Sequence, residues 1–489
     1  MKEILNKYFK YIVLAAIIYI PIFGYLNIFP IRLFDESRLA NNAYEMLKNG
    51  DFIVTHYKGI PDMFNTRPPL MIWLQVLSMK FIGVNELSVR LPAAFATLFT
   101  CIVLLMFSLK FLKEFWFGFI AVIVLITSHG YVCEHVSRTG DYEALLILFT
   151  TLSGLLFFAF IETKKNKFLY LFFVFTAFAV LTKSVTGLLF MPALLIYSLI
   201  QKQFLPTLRN KHFYFGIMIF VVLTLGYYLL RQFQNPGYLR CVYNNELGGR
   251  YLHLLVGQKQ GFWYYYNNII DFQLTKLWYL LIPCGFLIGV FSKDLKIKRI
   301  TLFSFLMILC FFIVISLAQT KLRHYDAPLY PFIAILISVS IYYILNLLKN
   351  LNLINQTLII NIVHFLFLFL ITITPYQKTI NNTYKPKEYP WAQEFYEIGY
   401  FLQDAVKGKY NVNDCFILYD GHDANLRFYL NILQDKGIKV FFKDWQNLNP
   451  DDLVIICQSD VKQYVEKNYN YKKIKEIGNV VKYKVYARK

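Results

Sequence analysis

The sequence predicts a polytopic α-helical membrane protein with about 11–13 transmembrane helices and a C-terminal soluble α/β domain. Of its 489 residues, 57% are hydrophobic and only 16% are charged, whereas soluble chains average about 45–50% apolar and about 25% charged residues. The apolar residues form separate runs near the ~20 residues that span a ~30 Å hydrocarbon core. This composition excludes an ordinary cytosolic enzyme, a disordered protein and a disulfide-stapled secreted scaffold.

Eleven runs are long and apolar enough to be predicted as spans, with ends defined to within a few residues. Two further short or amphipathic spans would escape this criterion, so thirteen is nearly as good an expectation. An odd number places the two termini on opposite sides of the membrane. The predicted spans are 11–29, 91–110, 115–129, 143–161, 168–182, 185–200, 213–231, 278–292, 300–318, 327–347 and 355–375.

The charge distribution predicts a cytoplasmic N-terminus. With that orientation the inside segments carry 16 Lys or Arg and only four acidic residues, as the positive-inside rule requires. The net charge of +20 is explained by these loops and by anionic membrane lipids. No nucleic-acid-binding motif accompanies the charge, so nucleic acid is not an expected partner. Cys133 and Cys241 both fall in predicted external loops, where a disulfide between them is an open alternative.

Two domains are predicted, a transmembrane domain at 1–375 and an external α/β domain at 376–489. The transmembrane domain has long external loops at about 30–90 and 232–277, and loops of this length tend to be functional. The tail alternates short β-rich runs with helical stretches, and no glycine-rich phosphate loop follows any strand. The predicted strands are 415–419, 439–442, 453–457 and 480–486, and the predicted helices lie near 423–432 and 459–468.

The first external loop contains the first candidate site residues. It opens with Asp35-Glu36-Ser37-Arg38 directly after a span, where shielding from water can move a carboxyl pKa toward that of a general base. Further along, Arg67 precedes Pro68-Pro69, which fix the backbone and favour bidentate binding of a phosphate. The alternatives are a helix cap for Asp35 and an interfacial anchor for Arg67.

A second external carboxylate, Asp141, lies at the edge of the fourth predicted span. Carboxylates at such positions are costly to keep and are functional candidates. His129, Glu134 and His135 lie just upstream, but their spacing matches no zinc pattern.

A third cluster lies between the ninth and tenth predicted spans. Lys321, Arg323 and His324, followed by Tyr325, place positive charge on the external face, where the positive-inside rule makes it scarce. A cationic pocket of this kind would suit a lipid-linked phosphate. The alternative is a belt of basic side chains that snorkel to the interface.

Taken in order, these segments resemble the membrane glycosyltransferases of the GT-C class, in the bacterial branch of the lipid A aminoarabinose transferase and relatives of protein O-mannosyltransferases. The resemblance covers about residues 30–335. Arg67 stands where the family usually has Lys, and Thr182-Lys183 lacks the glycine that commonly follows. The resembling pieces are Asp35-Glu36-x-Arg38 with Ala43-x-Glu45-Met46, Gly50-Asp51-Phe52, Arg67-Pro-Pro-Leu-x-x-Trp73, Gly83-Val-Asn-Glu86-x-x-x-Arg90-Leu91-Pro92, Arg138-x-x-Asp141, Leu181-Thr-Lys183-x-x-x-Gly187 and Lys321-x-x-x-Tyr325-x-x-Pro328-x-x-Pro331.

The resemblance implies a polyprenyl-phosphate sugar as donor, used on the external face with inversion of the anomeric centre. It implies Asp35 as the base or acceptor-orienting carboxylate and Asp141 as a second carboxylate that positions the acceptor or a metal. Some relatives contain a divalent metal near the first carboxylate, and whether this chain needs one is left open. The residues expected to bind substrate are Glu36, Arg38, Arg67, Lys321, Arg323, His324 and Tyr325.

The acceptor and the protein class keep alternatives at this stage. The leading expectation is transfer to a lipid A-type acceptor on the periplasmic face of the bacterial inner membrane. A protein hydroxyl or a growing polysaccharide is the alternative acceptor. A flippase for lipid-linked sugars would favour mid-membrane polar residues and paired repeats, and neither is visible. A scaffold protein would leave the external carboxylates and cations without a role.

Overall fold

The computed structural model describes residues 2–249, 251–254, 259–350 and 357–489. Within these ranges, seven helices are long and apolar enough to cross a membrane, and five more apolar helices have 10–17 residues. Together with a C-terminal sheet, they confirm the fold class predicted from the sequence. In chain order the α-helices before that sheet are α1 (Lys2–Phe23), α2 (Asp35–Asn49), α3 (Leu70–Ile82), α4 (Glu86–Phe107), α5 (Phe115–Ile126), α6 (Glu143–Thr163), α7 (Asn166–Lys183), α8 (Met191–Ile200), α9 (Phe204–Leu208), α10 (Lys211–Gln234), α11 (Tyr238–Val242), α12 (Tyr264–Asn268), α13 (Lys276–Val290), α14 (Leu295–Leu317), α15 (Tyr330–Asn350) and α16 (Thr357–Thr383).

Two helices differ from the predicted spans. The span expected at 185–200 contains only the ten-residue α8, because α7 ends at Lys183 and a 3₁₀ turn occupies Ser184–Leu188. The apolar helix α3 lies inside the predicted external loop 30–90, because its 13 residues are too few for the length criterion of a span. The start of the last predicted span, at 355, falls outside the described residues.

Helix α6 is the most buried of the seven long spans. Of its most apolar window 83% is buried inside the protein, compared with 17% for α10. A helix that is apolar all round and also buried belongs to the core of the bundle, and an apolar helix with little protein around it faces lipid. Glu143, the first residue of α6, is therefore held in the protein interior.

The first external loop is tied to the membrane helices by a buried ion pair. Glu36 is fully buried and accepts two hydrogen bonds from the Arg90 guanidinium at 2.7 and 2.8 Å. Its carboxylate also accepts the backbone N–H groups of Arg32 and Gly140. The pair fixes the start of α2, and with it Asp35, relative to α4.

We expect Glu36→Gln to destabilise the fold. The substitution keeps the side-chain shape but leaves the buried Arg90 charge uncompensated, and breaking such a pair typically costs about 3–5 kcal/mol. The unfolding temperature in detergent, measured from the loss of monodisperse protein on heating, should be lower than that of the wild type. Asp271→Asn, a change at an exposed carboxylate, is the control. An unchanged unfolding temperature for Glu36→Gln would contradict this account.

The C-terminal unit is a five-stranded mixed sheet with flanking helices. Its strand order is β4-β3-β5-β7-β6, with β3 parallel to β4 and β5, and β7 antiparallel to β5 and β6. Four of its strands and two of its helices were predicted; β6 was missed because it is an exposed edge strand rich in Lys. Its elements are α17 (Pro390–Val406), β3 (Cys415–Leu418), α18 (Ala424–Asp435), β4 (Val440–Phe442), β5 (Leu453–Ile456), α19 (Ser459–Asn468), β6 (Tyr469–Ile477) and β7 (Val480–Arg488). The two remaining strands, β1 (His56–Tyr57) and β2 (Ile60–Pro61), form a short hairpin in the loop between α2 and α3.

This unit packs directly on the first external loop. Buried Tyr429 accepts the N–H of Ile31 at 2.9 Å and donates to Glu86 at 2.8 Å. Near the surface, Lys58 pairs with Asp423 at 3.2 Å. The first loop and this edge of the C-terminal unit therefore lie on the same side of the molecule. The domain boundary expected near 376 stays a prediction. In the structure α16 continues through this position to Thr383.

The disulfide considered between Cys133 and Cys241 is not formed. Both residues are free thiols in the structure.

Candidate active site

Asp35 is the first residue of α2 and lies next to a strained backbone position. Phe34 has φ 68° and ψ −116°, a conformation that bulky side chains rarely adopt, and its ring is 62% exposed. Such strain persists where the surrounding structure imposes it and is frequent at functional sites. Asp35 lies at a helix N-terminus, where the helix dipole favours a negative charge. Its side chain is one-third exposed, so it remains accessible.

Arg67 faces Asp35 from the segment before α3. Its Nη1 lies 3.9 Å from Asp35 Oδ2, and its Nε lies 3.7 Å from Glu246 Oε1. The guanidinium also lies over the ring of Tyr142, 4.7 Å from its centroid. Burial by itself lowers the pKa of Arg67, but the charges of Asp35 and Glu246 outweigh burial and raise it. Arg67 is thus a permanent cation that is almost completely buried.

A pocket with one charged end and apolar walls adjoins this pair. Its cavity volume is about 100 Å³, and it encloses about 760 Å³ of space when the open mouth is included. Its charged end is lined by Arg67, Glu143, Lys183, Glu246, His324 and Tyr325. Its walls include Leu146, Val185, Leu189, Phe311, Val314 and Ile315. Such a lining fits an amphiphile with an anionic head and a hydrocarbon tail.

The two cations of this pocket, Arg67 and Lys183, come from distant parts of the chain. Lys183, the last residue of α7, forms an ion pair with Glu143 at the start of α6. Its ammonium also lies over the Tyr325 ring, 4.8 Å from the centroid. His324 Nε2 lies 3.3 Å from Glu143 Oε1. Glu143 therefore contacts both the Lys183 ammonium and the His324 imidazole at the charged end of the pocket.

Asp141 is connected to this network through His135. His135 Nδ1 lies 2.9 Å from Asp141 Oδ2, and the His135 ring stacks on His324 with centroids 4.8 Å apart. Burial lowers the pKa of His135, but the hydrogen bond and charge of Asp141 more than offset it and raise the pKa to about 9. Burial raises the pKa of Asp141 to about 6, against the opposing effect of His135. Near neutral pH the two groups form an ion pair.

The other residues predicted from the sequence lie outside this pocket. Glu36 is engaged by Arg90, and Arg38 forms a bidentate pair with Asp62 at 2.6 and 2.7 Å. The Lys321 ammonium donates to the carbonyls of Ala318 and Gln260. Arg323 lies over the ring of Phe272. Substrate-binding roles for these four residues stay predictions.

The structure brings to the site four residues that are not among the catalytic and substrate-binding residues predicted from the sequence: His135, Glu143, Lys183 and Glu246. In the sequence Lys183 stands out only as part of the Leu181-Thr-Lys183-x-x-x-Gly187 motif, and no motif marks Glu143 or Glu246. The signal available for Glu143 and Lys183 was a charge at the end of an otherwise apolar span, which is costly to retain. The partnership of His135 with Asp141 depends on a loop turn that places His135 at φ 64°, which no sequence periodicity indicates.

The residues considered as metal ligands are not arranged as a metal site. Glu134 pairs with Arg32 at 3.1 Å, and His135 is engaged by Asp141. Among the described residues, no group of three or more His, Cys, Asp or Glu side chains is placed to hold a metal ion. The metal question raised by the family resemblance therefore has no candidate ligand set in this part of the chain.

Comparisons with known proteins agree with the resemblance read from the sequence. Residues 66–228 match the family profile described as dolichyl-phosphate-mannose-protein mannosyltransferase. An uncharacterized protein of Aquifex aeolicus is 25% identical over 68% of this chain and 63% of its own length. The undecaprenyl phosphate-alpha-4-amino-4-deoxy-L-arabinose arabinosyl transferase of Shewanella sediminis is 26% identical over 63% of this chain. The chain spans only 55% of that transferase.

Solved structures show the same fold over nearly the whole chain. ArnT from Cupriavidus metallidurans bound to undecaprenyl phosphate aligns with a TM-score of 0.70 and 13% identity, covering 97% of this chain and 98% of ArnT. An oligosaccharyltransferase from Archaeoglobus fulgidus aligns with a TM-score of 0.51 and 10% identity, covering 96% of this chain and 69% of that protein.

The fold is therefore that of the GT-C membrane glycosyltransferases, and the chain is a multi-pass membrane protein of that architecture. Within the class it resembles the aminoarabinose transferases and the protein O-mannosyltransferases.

Proposed function

We propose that this chain is an inverting GT-C glycosyltransferase that moves a sugar from a polyprenyl-phosphate donor to a lipid A-type acceptor. The observation that carries the proposal is the pocket in which Arg67 and Lys183 lie at the charged end of an apolar chamber. The similar ArnT structure is bound to undecaprenyl phosphate, which supports a lipid phosphate as the ligand of this chain. Reaction on the periplasmic face of the inner membrane, with a cytoplasmic N-terminus, is part of the proposal.

In the proposed reaction, the oxygen of the acceptor hydroxyl attacks the anomeric carbon of the donor sugar, and Asp35 accepts the proton of that hydroxyl. The bond between that carbon and the phosphate oxygen breaks, and its electron pair leaves with the phosphate. Arg67 and Lys183 stabilise the negative charge of the departing polyprenyl phosphate. Because phosphate is a competent leaving group, the step requires no general acid. A single displacement inverts the anomeric configuration.

Asp141 and His135 act as positioning residues in this scheme. Their ion pair holds His135 against His324, and His324 in turn contacts Glu143. Glu143 then orients the Lys183 ammonium at the charged end of the pocket.

The direct test is incubation of the purified protein with a labelled polyprenyl-phosphate sugar and candidate acceptors. Transfer of label to lipid A is the expected result. Movement of the lipid across vesicles without sugar transfer would contradict the proposal and favour a transporter. Mass spectrometry of lipid A and glycoproteins from cells lacking this chain would identify the natural acceptor.

A protein hydroxyl is the second candidate acceptor. The observation that favours it is the match of residues 66–228 to a family described as transferring mannose to protein. Loss of glycoproteins with unchanged lipid A in the deleted cells would select this alternative.

We expect a bell-shaped dependence of kcat/KM on pH in the transfer reaction. The raised pKa of His135 means that its imidazolium is present below about pH 9 and is lost above it. The raised pKa of Asp141 means that its carboxylate is present above about pH 6 and is lost below it. Rates measured from pH 5 to 10 should fall outside the window between these two values.

His135→Asn should remove the alkaline limb of this profile, whereas His253→Asn, at an exposed loop position, should leave it in place. If the alkaline limb persists in His135→Asn, the fall in rate above about pH 9 belongs to a group other than His135.

A further inference from the structure

A large groove in the C-terminal unit lies at the carboxyl ends of its parallel strands. Tyr419 and Asp420 follow β3, and Gln458 follows β5. All three residues line a groove with a volume of about 560 Å³. The Asp420 N–H donates to Gln458 Oε1 at 2.7 Å, and Gln458 Nε2 donates back to the Asp420 carbonyl at 2.9 Å. This edge of a parallel sheet is where open α/β sheets bind ligands.

Aromatic side chains make up a large part of the groove lining. Trp445 and Tyr464 form an edge-to-face pair with centroids 4.6 Å apart. Trp391 and Phe395 of α17 line the groove as well and are 71% and 43% exposed. Large, rigid aromatic faces exposed around a concave surface are costly to keep in water and suit a ligand with flat apolar faces.

Two carboxylates supply hydrogen-bond acceptors in the same groove. Asp420 and Asp460 are exposed, and their carboxylates have no hydrogen-bond or ion-pair partner among the residues that the structure describes. An ionised carboxylate only accepts hydrogen bonds, so these groups select hydroxyl or ammonium donors and disfavour phosphate. A pyranose ring combines both required features, because its C–H face is apolar and its rim carries hydroxyl groups.

The groove is connected to the candidate catalytic carboxylate through the first external loop. His422, two residues after Asp420, contacts the Phe34 ring with centroids 5.5 Å apart. Phe34 directly precedes Asp35. Because consecutive Cα atoms are ~3.8 Å apart, this path limits the distance between the groove edge and Asp35 to on the order of 20 Å or less. That distance corresponds to a few sugar units.

We propose that this groove binds the carbohydrate part of the acceptor and directs its reactive hydroxyl toward Asp35. This inference rests on the proposed glycosyltransferase function and names the class of acceptor, a glycan-bearing molecule. The groove selects the acceptor through its sugar, while the pocket at Arg67 selects the donor through its phosphate. Lipid headgroups of the bilayer are the competing occupant, since Trp391 and Phe395 also suit a membrane interface.

The test is saturation-transfer NMR on the full-length protein in detergent, without donor. The probes are soluble mannose and glucosamine oligosaccharides of one to four units. We expect binding that strengthens with chain length and weakens about tenfold or more in both Asp460→Asn and Trp445→Ala. Asp460→Asn is an exposed, isosteric change, so it remains informative even if Trp445→Ala fails to fold. Asp414→Asn, at the opposite end of β3, should bind like the wild type.

The readouts separate this inference from the proposed function. Asp35→Asn should bind oligosaccharides normally, so loss of transfer by that variant says nothing against the groove. In the transfer assay, Asp460→Asn should raise the acceptor KM with little change in kcat or in donor affinity. Oligosaccharide binding that is absent, or is unchanged in both groove variants, overturns the inference. Saturation transfer to phospholipid headgroups with none to sugars would assign the groove to the membrane.

Discussion

Asp35→Asn is expected to abolish sugar transfer while leaving donor binding largely intact. The amide keeps the size of the side chain but cannot take the proton of the acceptor hydroxyl, and loss of a general base typically costs about 10²–10⁴-fold in rate. Asp35 does not line the pocket and is one-third exposed, so its replacement leaves the apolar walls unchanged. Turnover of labelled donor and the Kd for undecaprenyl phosphate should be measured on the same preparation.

Asp271→Asn provides the matched control for this experiment. Asp271 is an exposed carboxylate in the loop predicted at 232–277, and its substitution should leave both turnover and donor binding unchanged. Full turnover by Asp35→Asn would remove Asp35 as the base. Loss of donor binding together with turnover would make it a binding residue.

Arg67→Ala is expected to weaken binding of the lipid phosphate by about 10- to 100-fold. A hydrogen bond to a charged group contributes about 1.5–3 kcal/mol, and Arg67 is the buried cation nearest to Asp35 in the pocket. Arg67→Lys should have an intermediate effect, because it keeps the charge but loses the bidentate geometry. Titration with undecaprenyl phosphate, read by intrinsic tryptophan fluorescence, measures both variants.

The controls for Arg67 also test an expectation from the sequence. Arg240→Ala, at an exposed position of α11, should bind donor like the wild type. Lys321→Ala tests the predicted phosphate contact of Lys321, whose ammonium is engaged by two carbonyls. A larger loss of affinity for Lys321→Ala than for Arg67→Ala would move the phosphate site away from the pocket described here.

The membrane architecture could be predicted because apolar runs of spanning length depend on composition alone. Helix α3 was missed because its 13 residues fall below that length, although its apolar character is as clear as that of a span. The tail was predicted as α/β from its alternating short runs. Strand β6 was not predicted because an exposed edge strand has no buried face, and its apolar residues therefore do not alternate with polar ones.

The site was only partly accessible to sequence reasoning. Asp35 and Arg67 were selected because each stands beside a local signal, a span end and a proline pair. Their separation of 3.9 Å depends on the buried pair between Glu36 and Arg90, which are 54 residues apart. Lys183 and Glu143 belong to different spans, and their contact depends on the packing of α6 against α7. Contacts of this kind follow from tertiary packing, which local patterns do not encode.

The size of the pocket limits how much of a long lipid the protein can hold. The cavity volume is about 100 Å³, well below the volume of about 300–1,000 Å³ of a pocket that encloses a drug-sized ligand, so it accommodates a phosphate head and at most the first isoprene units. The remainder of the chain would stay dissolved in the bilayer throughout the catalytic cycle. Truncated polyprenyl donors should therefore be used almost as well as full-length ones, and spent carrier can diffuse away laterally without ever leaving the membrane.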